Sequence, residues 1–207
     1  MCRQFSCPDI QINTARTSER KDRVIKTLWQ RQPDLTLILA NIHDPHNVSA
    51  IYRSCDAFGV SKVHLLYTST AFPVLGAKSS ASAKKWVESE RHSNYEEMFS
   101  KLRKDNFQIL ATSFSDRARP LREWNFLKPA AIILGNEHSG VDKELQENSD
   151  GEIYIPMHGM IQSFNVSVAA AIILAEAARQ REEAGFYDRE EIGVRNLEEN
   201  LEKWLQK

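Results

Sequence analysis

Three short polar segments contain the side chains that could carry out chemistry. They are NIHDPHNVSAIYR at 41–53, GNEHSG at 135–140 and MHGMIQSFNVS at 157–167. Each one follows a short apolar run of strand length, and open α/β sheets bind ligands at the carboxyl ends of their strands. An arginine, a glutamate and several amides at one sheet edge could bind a polar substrate and stabilise developing negative charge. Their common position favours one shared site over three unrelated loops.

Each segment also has a structural explanation. Asn47 and Asn165 are good N-cap residues for the helices predicted after them, and the two glycines of GNEHSG could serve turns. In a helix after Asn47 an apolar stripe faces one side and Arg53 projects from the other. Arg53 could be a solvated residue that pairs with Asp56 on the next turn. Taken singly, caps and turns are the more frequent use of such residues.

Several common active sites are excluded by missing motifs. No G-x-G-x-x-G follows a predicted strand, so a dinucleotide-binding Rossmann site is not indicated. GNEHSG has the outline of a P-loop without its Lys and Ser/Thr, and the serines of 79–82 lack a G-x-S-x-G turn. His43, Asp44 and His46 are close in sequence, but no further ligand stands at a recognised metal spacing. We therefore expect no metal site.

The pattern of apolar runs predicts an α/β protein. Strand-length runs occupy 35–40, 62–67, 107–112, 130–134 and 152–156, and helical patterns occupy 48–58, 95–103 and 165–181. Strands that alternate with helices indicate a mainly parallel sheet with helices on both faces. The Ser-, Ala- and Thr-rich stretch 68–82 is a long connection and a candidate functional loop.

The two ends differ from the centre. Residues 17–34 predict a basic helix that stops before Pro33, and an acidic amphipathic helix near the C-terminus should dock through apolar residues at helical spacing. Those residues are Leu197, Leu201, Trp204 and Leu205. The predicted division is a basic helical extension at 1–32, a central α/β domain at 33–184 and an acidic helical tail at 185–207.

Composition and charge narrow the class of protein. The chain has 207 residues, 42% of them hydrophobic, and a formal net charge of −1, which fits an ordinary globular domain. No apolar run approaches the roughly 20 residues of a membrane span, and the N-terminus lacks the pattern of a secretory signal. A cytoplasmic location is therefore expected, with the three cysteines as reduced thiols. Six of the residues between 16 and 31 are basic and two are acidic, which suits either a phosphate-rich partner or a solvated helix.

Taken together, three motifs resemble those of a known family. N-x-x-A-x-x-R at 47–53, L-G-N-E-x-x-G at 134–140 and I-P-M-x-G-x-x-x-S-x-N-V-S-V-A at 155–169 are similar to the motifs of the TrmH branch of the SPOUT superfamily, which are RNA ribose 2′-O-methyltransferases. Their order and spacing also match. The resemblance spans about 35–181, and the segments RQPDLT and AARQREEAGFY are similar to members that methylate guanosine 18 in the D-loop of tRNA.

The resemblance implies a fold with a deep C-terminal trefoil knot, which is an exception to the usual un-knotted topology. It also implies that S-adenosylmethionine binds in the knot, held mostly by the backbone of loops at 111–113, 134–137 and 155–165. Small residues there would let the backbone approach the ligand closely. The implied cofactor-binding residues are Thr112, Gly135, Ile155, Met160 and Phe164.

The resemblance also assigns the catalytic roles. Arg53 would stabilise the alkoxide that develops on the ribose 2′-oxygen, because a guanidinium supplies both charge and directed donors. The family proposal of a general base is less attractive, since arginine keeps its proton at neutral pH. Asn47 would hold the first motif in shape. The remaining members of the implied site are Glu137, Ser163 and Asn165.

The resemblance implies two partners, tRNA and a second copy of the chain. Family members are homodimers in which the arginine and the donor pocket come from different subunits or meet near their interface. The small and apolar helix after Asn165 fits such an interface, although a core helix is almost as good an explanation. The N-terminal basic helix fits contact with tRNA phosphates. Its implied RNA-binding residues are Arg16, Arg20, Lys21, Arg23 and Arg31.

The short acidic tail departs from the family pattern, since guanosine-18 enzymes of this family have a longer and more basic extension. The expected activity is 2′-O-methylation of tRNA guanosine 18. Methylation of an anticodon-loop or ribosomal RNA nucleotide is the alternative, followed by a non-catalytic RNA-binding role.

Overall fold

Seven parallel strands form the central sheet of the protein. The computed structural model describes residues 17–73, 83–188, 200–201 and 203–205. The strands are β1 (Leu35–Ala40), β2 (Lys62–Leu66), β3 (Glu88–His92), β4 (Gln108–Thr112), β5 (Ala118–Pro120), β6 (Ala130–Leu134) and β7 (Gly151–Tyr154). Their order across the sheet is β3-β2-β1-β6-β4-β7-β5, and every pair is parallel. The carboxyl ends of β1, β6, β4 and β7 therefore lie side by side.

Helices cover both faces of this sheet. The structure contains the helices α1 (Ser18–Trp29), α2 (Pro45–Ala57), α3 (Ala83–Trp86), α4 (Tyr95–Lys104), α5 (Lys143–Glu147) and α6 (Val166–Glu183), with short 3-10 turns at Leu121–Glu123 and Phe186–Asp188. The apolar residues of α2 and α6 pack on one face of the sheet, and those of α4 and α5 pack on the other. This burial on both faces explains why the central strands are continuously apolar. The predicted α/β class is confirmed.

The five predicted strands are all present, but two edge strands were missed. Strand β3 has the sequence ESERH, and β5 has only three residues. Neither has the apolar run by which the central strands were recognised. Charged edge strands are expected physically, because charge prevents an open edge from pairing with another chain.

Helix α2 begins three residues earlier than its apolar stripe indicates. Asp44 is its N-cap and accepts a hydrogen bond from the backbone N–H of His46, with Pro45 in the first turn. Proline is well suited to this position because it has no N–H to leave unsatisfied. The structural alternative for Asn47, a helix N-cap, is therefore wrong, and its side chain is available for another contact. Asn165 does cap α6, accepting from the N–H of Ser167.

The N-terminal and C-terminal segments pack on each other. Val24, Ile25 and Leu28 of α1 form a cluster with three residues of a short C-terminal helical segment, Leu201, Trp204 and Leu205. The predicted docking of the C-terminal helix is thus confirmed for these residues, whereas Leu197 lies outside the described residues. No helix in the described part of the chain combines the length and apolarity needed to cross a membrane.

Arg31 joins these segments to the sheet domain. Its guanidinium donates to the Asp56 carboxylate and to the backbone oxygen of Val60, and it stacks on the Trp204 ring 5.0 Å away. Because Asp56 is paired with Arg31, the alternative that it pairs with Arg53 is wrong. Burial of Arg31 likewise contradicts its predicted contact with RNA, since the side chain is enclosed by protein and two of its guanidinium nitrogens donate to protein acceptors.

Candidate active site

Glu137, in the loop after β6, is the centre of a hydrogen-bond network at the carboxyl edge of the sheet. Its carboxylate accepts from the backbone N–H groups of His43 (2.9 Å) and Asp44 (3.1 Å) and from the side-chain amide of Asn47 (2.9 Å). Partial burial opposes ionisation of Glu137, but these three donors outweigh it and hold its pKa below the usual value. The carboxylate therefore remains charged and fixes the loop that leads into α2.

The same network continues to the third motif. Asn47 accepts a hydrogen bond at 3.0 Å from the side-chain amide of Asn165, whose own oxygen caps α6. One chain of contacts thus runs from Glu137 through Asn47 to Asn165 and joins three segments that are up to 118 positions apart in the sequence. The structure brings together the motifs that the sequence placed at one edge.

A cavity of about 590 Å³ opens beside this network. Three loops surround it: the loop after β4, the loop after β6 and the segment 155–165 that leads from β7 to α6. Its size is in the range of small-molecule sites, which mix apolar walls with a few polar groups. The apolar wall includes Leu134, Ile155, Phe164 and Ile173.

Gly135 is required by the shape of the loop after β6. Asn136 and Gly140 exchange two backbone hydrogen bonds of 2.9 Å, which folds the loop into a tight turn. A Cβ atom at position 135 would lie 2.1 Å from the carbonyl carbon of Gly140. No side chain fits there, so the glycine keeps backbone groups at the cavity wall.

Four of the five predicted cofactor-binding residues line the cavity: Thr112, Gly135, Ile155 and Phe164. The hydroxyl of Thr112 donates to the backbone oxygen of Ile133 at 2.9 Å, so this side chain ties β4 to β6. Met160 is different. Its side chain is 100% exposed and is not part of the cavity wall, which contradicts the predicted contact. The loop turns this side chain outward to solvent.

The predicted catalytic residues divide into two groups. Glu137, Ser163 and Asn165 line the cavity, and Asn47 reaches it through its two hydrogen bonds. Arg53 does not line the cavity. It follows Asn47 on α2 by six positions, which is about 9 Å along the helix axis and about 120° around it.

Arg53 is exposed and makes no hydrogen bond or ion pair with any residue that the structure describes. A guanidinium that has no partner in the described part of the chain is available to an external group. The helix supplies the reason for its exposure, because the opposite face carries the buried residues Val48, Ile51 and Cys55.

Sequence reasoning gave no individual role to three residues of this edge: Asn41, Tyr67 and Asn136. The Tyr67 hydroxyl donates to the backbone oxygen of Ile42 at 2.9 Å, and burial together with the nearby Glu137 charge raises the Tyr67 pKa. Tyr67 ends the predicted strand KVHLLY, so its position at the sheet edge was a usable signal. Nothing in the sequence indicated a hydrogen-bonding role for Asn41.

The predicted RNA-binding residues lie mostly on α1. Arg23 is exposed, and Arg20 and Lys21 are half-buried. Lys21 has an interaction within the protein, and Arg16 lies outside the described residues. The buried side of α1 faces the C-terminal segment, so the side that bears Arg23 is open to a partner.

One group of three potential metal ligands occurs in the described part of the chain. His64, Glu90 and His92 lie on adjacent strands β2 and β3 with ligand atoms within 4.8 Å of one another. The two imidazoles are hydrogen-bonded to each other at 2.9 Å. Lys101 and Lys62 pair with Glu90 at 2.6 and 3.6 Å. The carboxylate therefore already has cationic partners, and a metal ion would have to compete with them.

Comparison with known proteins agrees with the geometry of the site. Residues 34–175 match the SpoU rRNA Methylase family. A tRNA (guanosine(18)-2′-O)-methyltransferase from Thermus thermophilus is 44% identical over 192 residues, which cover 93% of this chain and 98% of that protein.

Solved structures give the same assignment of fold. The TrmH/SpoU tRNA modifying enzyme of A. aeolicus superposes with a TM-score of 0.83 at 38% identity, covering 91% of this chain and 95% of that one. The SpoU methyltransferase AviRb of Streptomyces viridochromogenes, in complex with the cofactor AdoMet, superposes with a TM-score of 0.65. It covers 73% of this chain and 59% of that one, and at 24% identity it supports the fold alone. The match to the family over most of the chain, and a relative at 44% identity along nearly its whole length, show that this protein belongs to the SpoU rRNA methylase family.

Proposed function

We propose that this protein transfers a methyl group from S-adenosylmethionine to the 2′-hydroxyl of guanosine 18 in tRNA. The observation that carries the proposal is the linkage of Glu137, Asn47 and Asn165 at the mouth of the cavity. Relatives that carry this activity in their names are 43–44% identical to the chain. A 23S rRNA (guanosine-2′-O-)-methyltransferase from Acinetobacter baylyi is less similar, at 32% identity over 149 residues. The tRNA assignment is therefore favoured.

The cavity fits the methyl donor in size and in the character of its walls. Leu134, Ile155 and Ile173 offer apolar surface for an adenine ring, and the tight turn at Gly135 presents backbone groups to polar atoms. S-adenosylmethionine, when bound, supplies an electrophilic methyl group on a sulfonium. Ser163 and Asn165 border the same cavity and can orient a ribose hydroxyl.

The protein's contribution is positioning and charge stabilisation. Glu137 fixes the start of α2 through the N–H groups of His43 and Asp44, and the helix carries Arg53 at a set distance. A guanidinium beside the ribose 2′-oxygen stabilises the negative charge that develops there. Because arginine keeps its own proton at neutral pH, the hydroxyl proton leaves to water or to an RNA phosphate.

A homodimer is part of the proposal. Three large apolar side chains close together in the chain are exposed: Met160 (100%), Ile161 (62%) and Val168 (45%). Helix α6 uses Ala170, Ile173 and Ala177 for its own core, so Val168 is free for a second contact. Exposed apolar residues of this size mark interaction surfaces. A second copy of the chain placed here could bring its Arg53 to the cavity, which lacks the arginine of its own chain.

The C-terminal trefoil knot expected for the family is also proposed. The chain leaves β7 near one side of the sheet, passes along the cavity through 155–165 and returns as α6 to pack on α2. We further propose that α1 binds tRNA through Arg20 and Arg23 and that the enzyme acts in the cytoplasm, where tRNA is modified.

The activity is tested with labelled methyl donor and unmodified tRNA transcript, followed by mapping of the methylated nucleotide. A matched transcript with 2′-deoxyguanosine at position 18 lacks only the acceptor hydroxyl. The expected result is one methyl group on the normal transcript and none on the deoxy transcript. Transfer to both would move the target elsewhere, and transfer to ribosomal RNA alone would favour the alternative substrate.

A further inference from the structure

The residue that follows β1, Asn41, has a backbone conformation that is rare for its type. Its φ angle is 51°, in the left-handed region, and its side chain is buried with 5% exposure. Non-glycine residues in this region are uncommon, and asparagine is among those that tolerate it best. Such a conformation persists when surrounding contacts hold it in place.

Those contacts join three loops at the active edge of the sheet. The side-chain oxygen of Asn41 accepts from the N–H groups of Thr68 (2.9 Å) and Ser69 (3.2 Å). Its amide donates to the Thr68 hydroxyl (3.1 Å) and to the Asp142 carboxylate (3.4 Å). Its backbone oxygen accepts from the side-chain amide of Asn136 at 2.8 Å. Asn41 therefore connects the loops after β1, β2 and β6.

Asn136 transmits this connection to the site. The side-chain oxygen of Asn136 accepts hydrogen bonds from the backbone N–H groups of His138 and Ser139, and its side-chain amide donates to Asn41. The turn that contains Glu137 is therefore attached to Asn41 through Asn136. Glu137 in turn fixes Asn47 and the first turn of α2. A displacement at Asn41 would move the cavity wall and the helix that bears Arg53 relative to each other.

We propose that Asn41 is a positioning residue for methyl transfer, which holds the Glu137 turn and the start of α2 in register with the donor cavity. The inference rests on the proposed function. Reactions between two bound substrates depend steeply on alignment, and a misplacement of about 1 Å can cost on the order of 100-fold in rate. Asn41 touches neither substrate in this assignment, because it acts through Asn136 and Glu137.

The first test replaces Asn41 with glycine, which keeps the left-handed backbone accessible and removes the four side-chain hydrogen bonds. The matched control is Asn106→Gly, because Asn106 is the other described non-glycine residue with positive φ (62°). It precedes β4 and so lies at the amino ends of the strands, away from the candidate site at their carboxyl ends. We expect Asn41→Gly to lower kcat by about 10- to 100-fold with unchanged KM for tRNA. Asn106→Gly should keep the wild-type kcat.

A charge exchange provides the rescue test, and it covers the case in which Asn41→Gly does not fold. Asn41→Asp keeps the acceptor for Thr68 and Ser69 but places a carboxylate against that of Asp142. When Asp142→Asn is added, the side-chain amide at position 142 can donate to the carboxylate at position 41, so the hydrogen bond is restored with its direction reversed. We expect Asn41→Asp to lose turnover and the double variant to recover most of it, with Asp142→Asn alone near wild type.

The outcomes separate the two levels of the proposal. A wild-type protein that methylates no tRNA would refute the proposed function and with it the role of Asn41. An active wild type with equal kcat in Asn41→Gly and Asn106→Gly would refute the positioning role alone. So would a double variant that stays as slow as Asn41→Asp, because the contact with Asp142 would then not explain the loss.

Discussion

At the scale of single residues, Arg53 is the side chain whose role depends most on what lies outside the chain. It has no partner among the described residues, yet it occupies a fixed position on α2, six residues beyond Asn47, which contacts Glu137. A surface arginine with no function would be expected to tolerate replacement. A guanidinium that stabilises an alkoxide would not.

We expect Arg53→Ala to lower kcat by about 100- to 1000-fold, which is the usual effect of removing one stabilising donor from a developing oxyanion. Binding of the methyl donor should be unchanged, because the proposed role of Arg53 is contact with the ribose 2′-oxygen and not with S-adenosylmethionine. Single-turnover methylation and calorimetric titration with S-adenosylmethionine measure the two effects. Equal loss of donor binding and turnover would instead make Arg53 a structural residue.

Sequence reasoning at this scale identified residue types better than contacts. Glu137, Asn47 and Asn165 were selected as separate polar residues, and the structure links them in one network. The alternative explanation of Asn47 as a helix cap is wrong because Asp44 and Pro45 supply a stronger start signal three residues earlier. Asn41 was not recognised, since a left-handed conformation and contacts 95 to 101 positions away leave no local pattern.

At the scale of elements, α1 and the residues after it contain two kinds of arginine. Arg23 is exposed on the helix, whereas Arg31 is buried among Asp56, Val60 and Trp204. Basic composition alone could not separate them, because both belong to the same charged segment. Because Arg31 is buried and Arg23 is exposed, we expect Arg31 to contribute to stability and Arg23 to contribute to tRNA binding.

We expect Arg31→Ala to lower the free energy of unfolding by about 2–3 kcal/mol, because it leaves the partly buried Asp56 carboxylate without its partner. Arg23→Ala should leave stability unchanged and reduce the slope of log affinity for tRNA against log salt by about 0.7–0.9 in magnitude, one phosphate contact. Denaturant unfolding and salt-dependent binding measure the pair. The reverse assignment, with Arg31 in the salt slope, would contradict the burial seen here.

The imidazole pair of His64 on β2 and His92 on β3 is expected to make the stability of the protein depend on pH. Burial, followed by the neighbouring His92 and the nearby lysines, lowers the pKa of His64 to about 4. The folded imidazole therefore stays neutral while the unfolded one takes up a proton near pH 6.5. The contribution of His64 to the free energy of unfolding is therefore fully present above that pH. It is lost as the pH falls toward 4, with a slope of up to about 1.4 kcal/mol per pH unit.

We expect His64→Asn to be less stable than wild type at pH 7 and to lose less stability between pH 6.5 and 4.5. Urea unfolding at constant ionic strength across this range tests it. The groups that face His64 are unchanged in the variant: Lys62, Glu90, His92 and Lys101. Parallel stability curves for the two proteins would show that another group causes the acid sensitivity.

At the scale of the whole molecule, the described residues of one chain do not assemble the complete proposed site. The cavity is lined by Glu137, Ser163 and Asn165, but Arg53 of the same chain is not among its lining residues. The exposed Ile161 lies within the segment 155–165 that borders the cavity, and the exposed Val168 lies in the first turn of α6. A second subunit would cover these apolar residues and could supply its arginine, so dimer formation and catalysis should be lost together.

We expect Val168→Asp to raise the dimer dissociation constant by about 100-fold or more, since a charge would be buried in the interface. Sedimentation velocity and methylation at the same protein concentration measure the two properties. Leu127→Asp is the matched control, because Leu127 is also an exposed large apolar residue, on a different loop. A monomeric Val168→Asp with full activity would show that one chain is sufficient.

The decisive prediction for the dimer concerns mixed subunits. Arg53→Ala leaves the cavity intact, and Ile155→Arg leaves Arg53 intact while placing a long cation where Ile155 lines the cavity. If the arginine acts on the partner's cavity, a heterodimer of the two variants contains one site with both defects and one site with neither. Mixing two inactive proteins should then restore up to half of the wild-type activity per heterodimer. If Arg53 serves its own cavity, every site keeps one defect and the mixture stays inactive, so the same experiment decides which chain the catalytic arginine comes from.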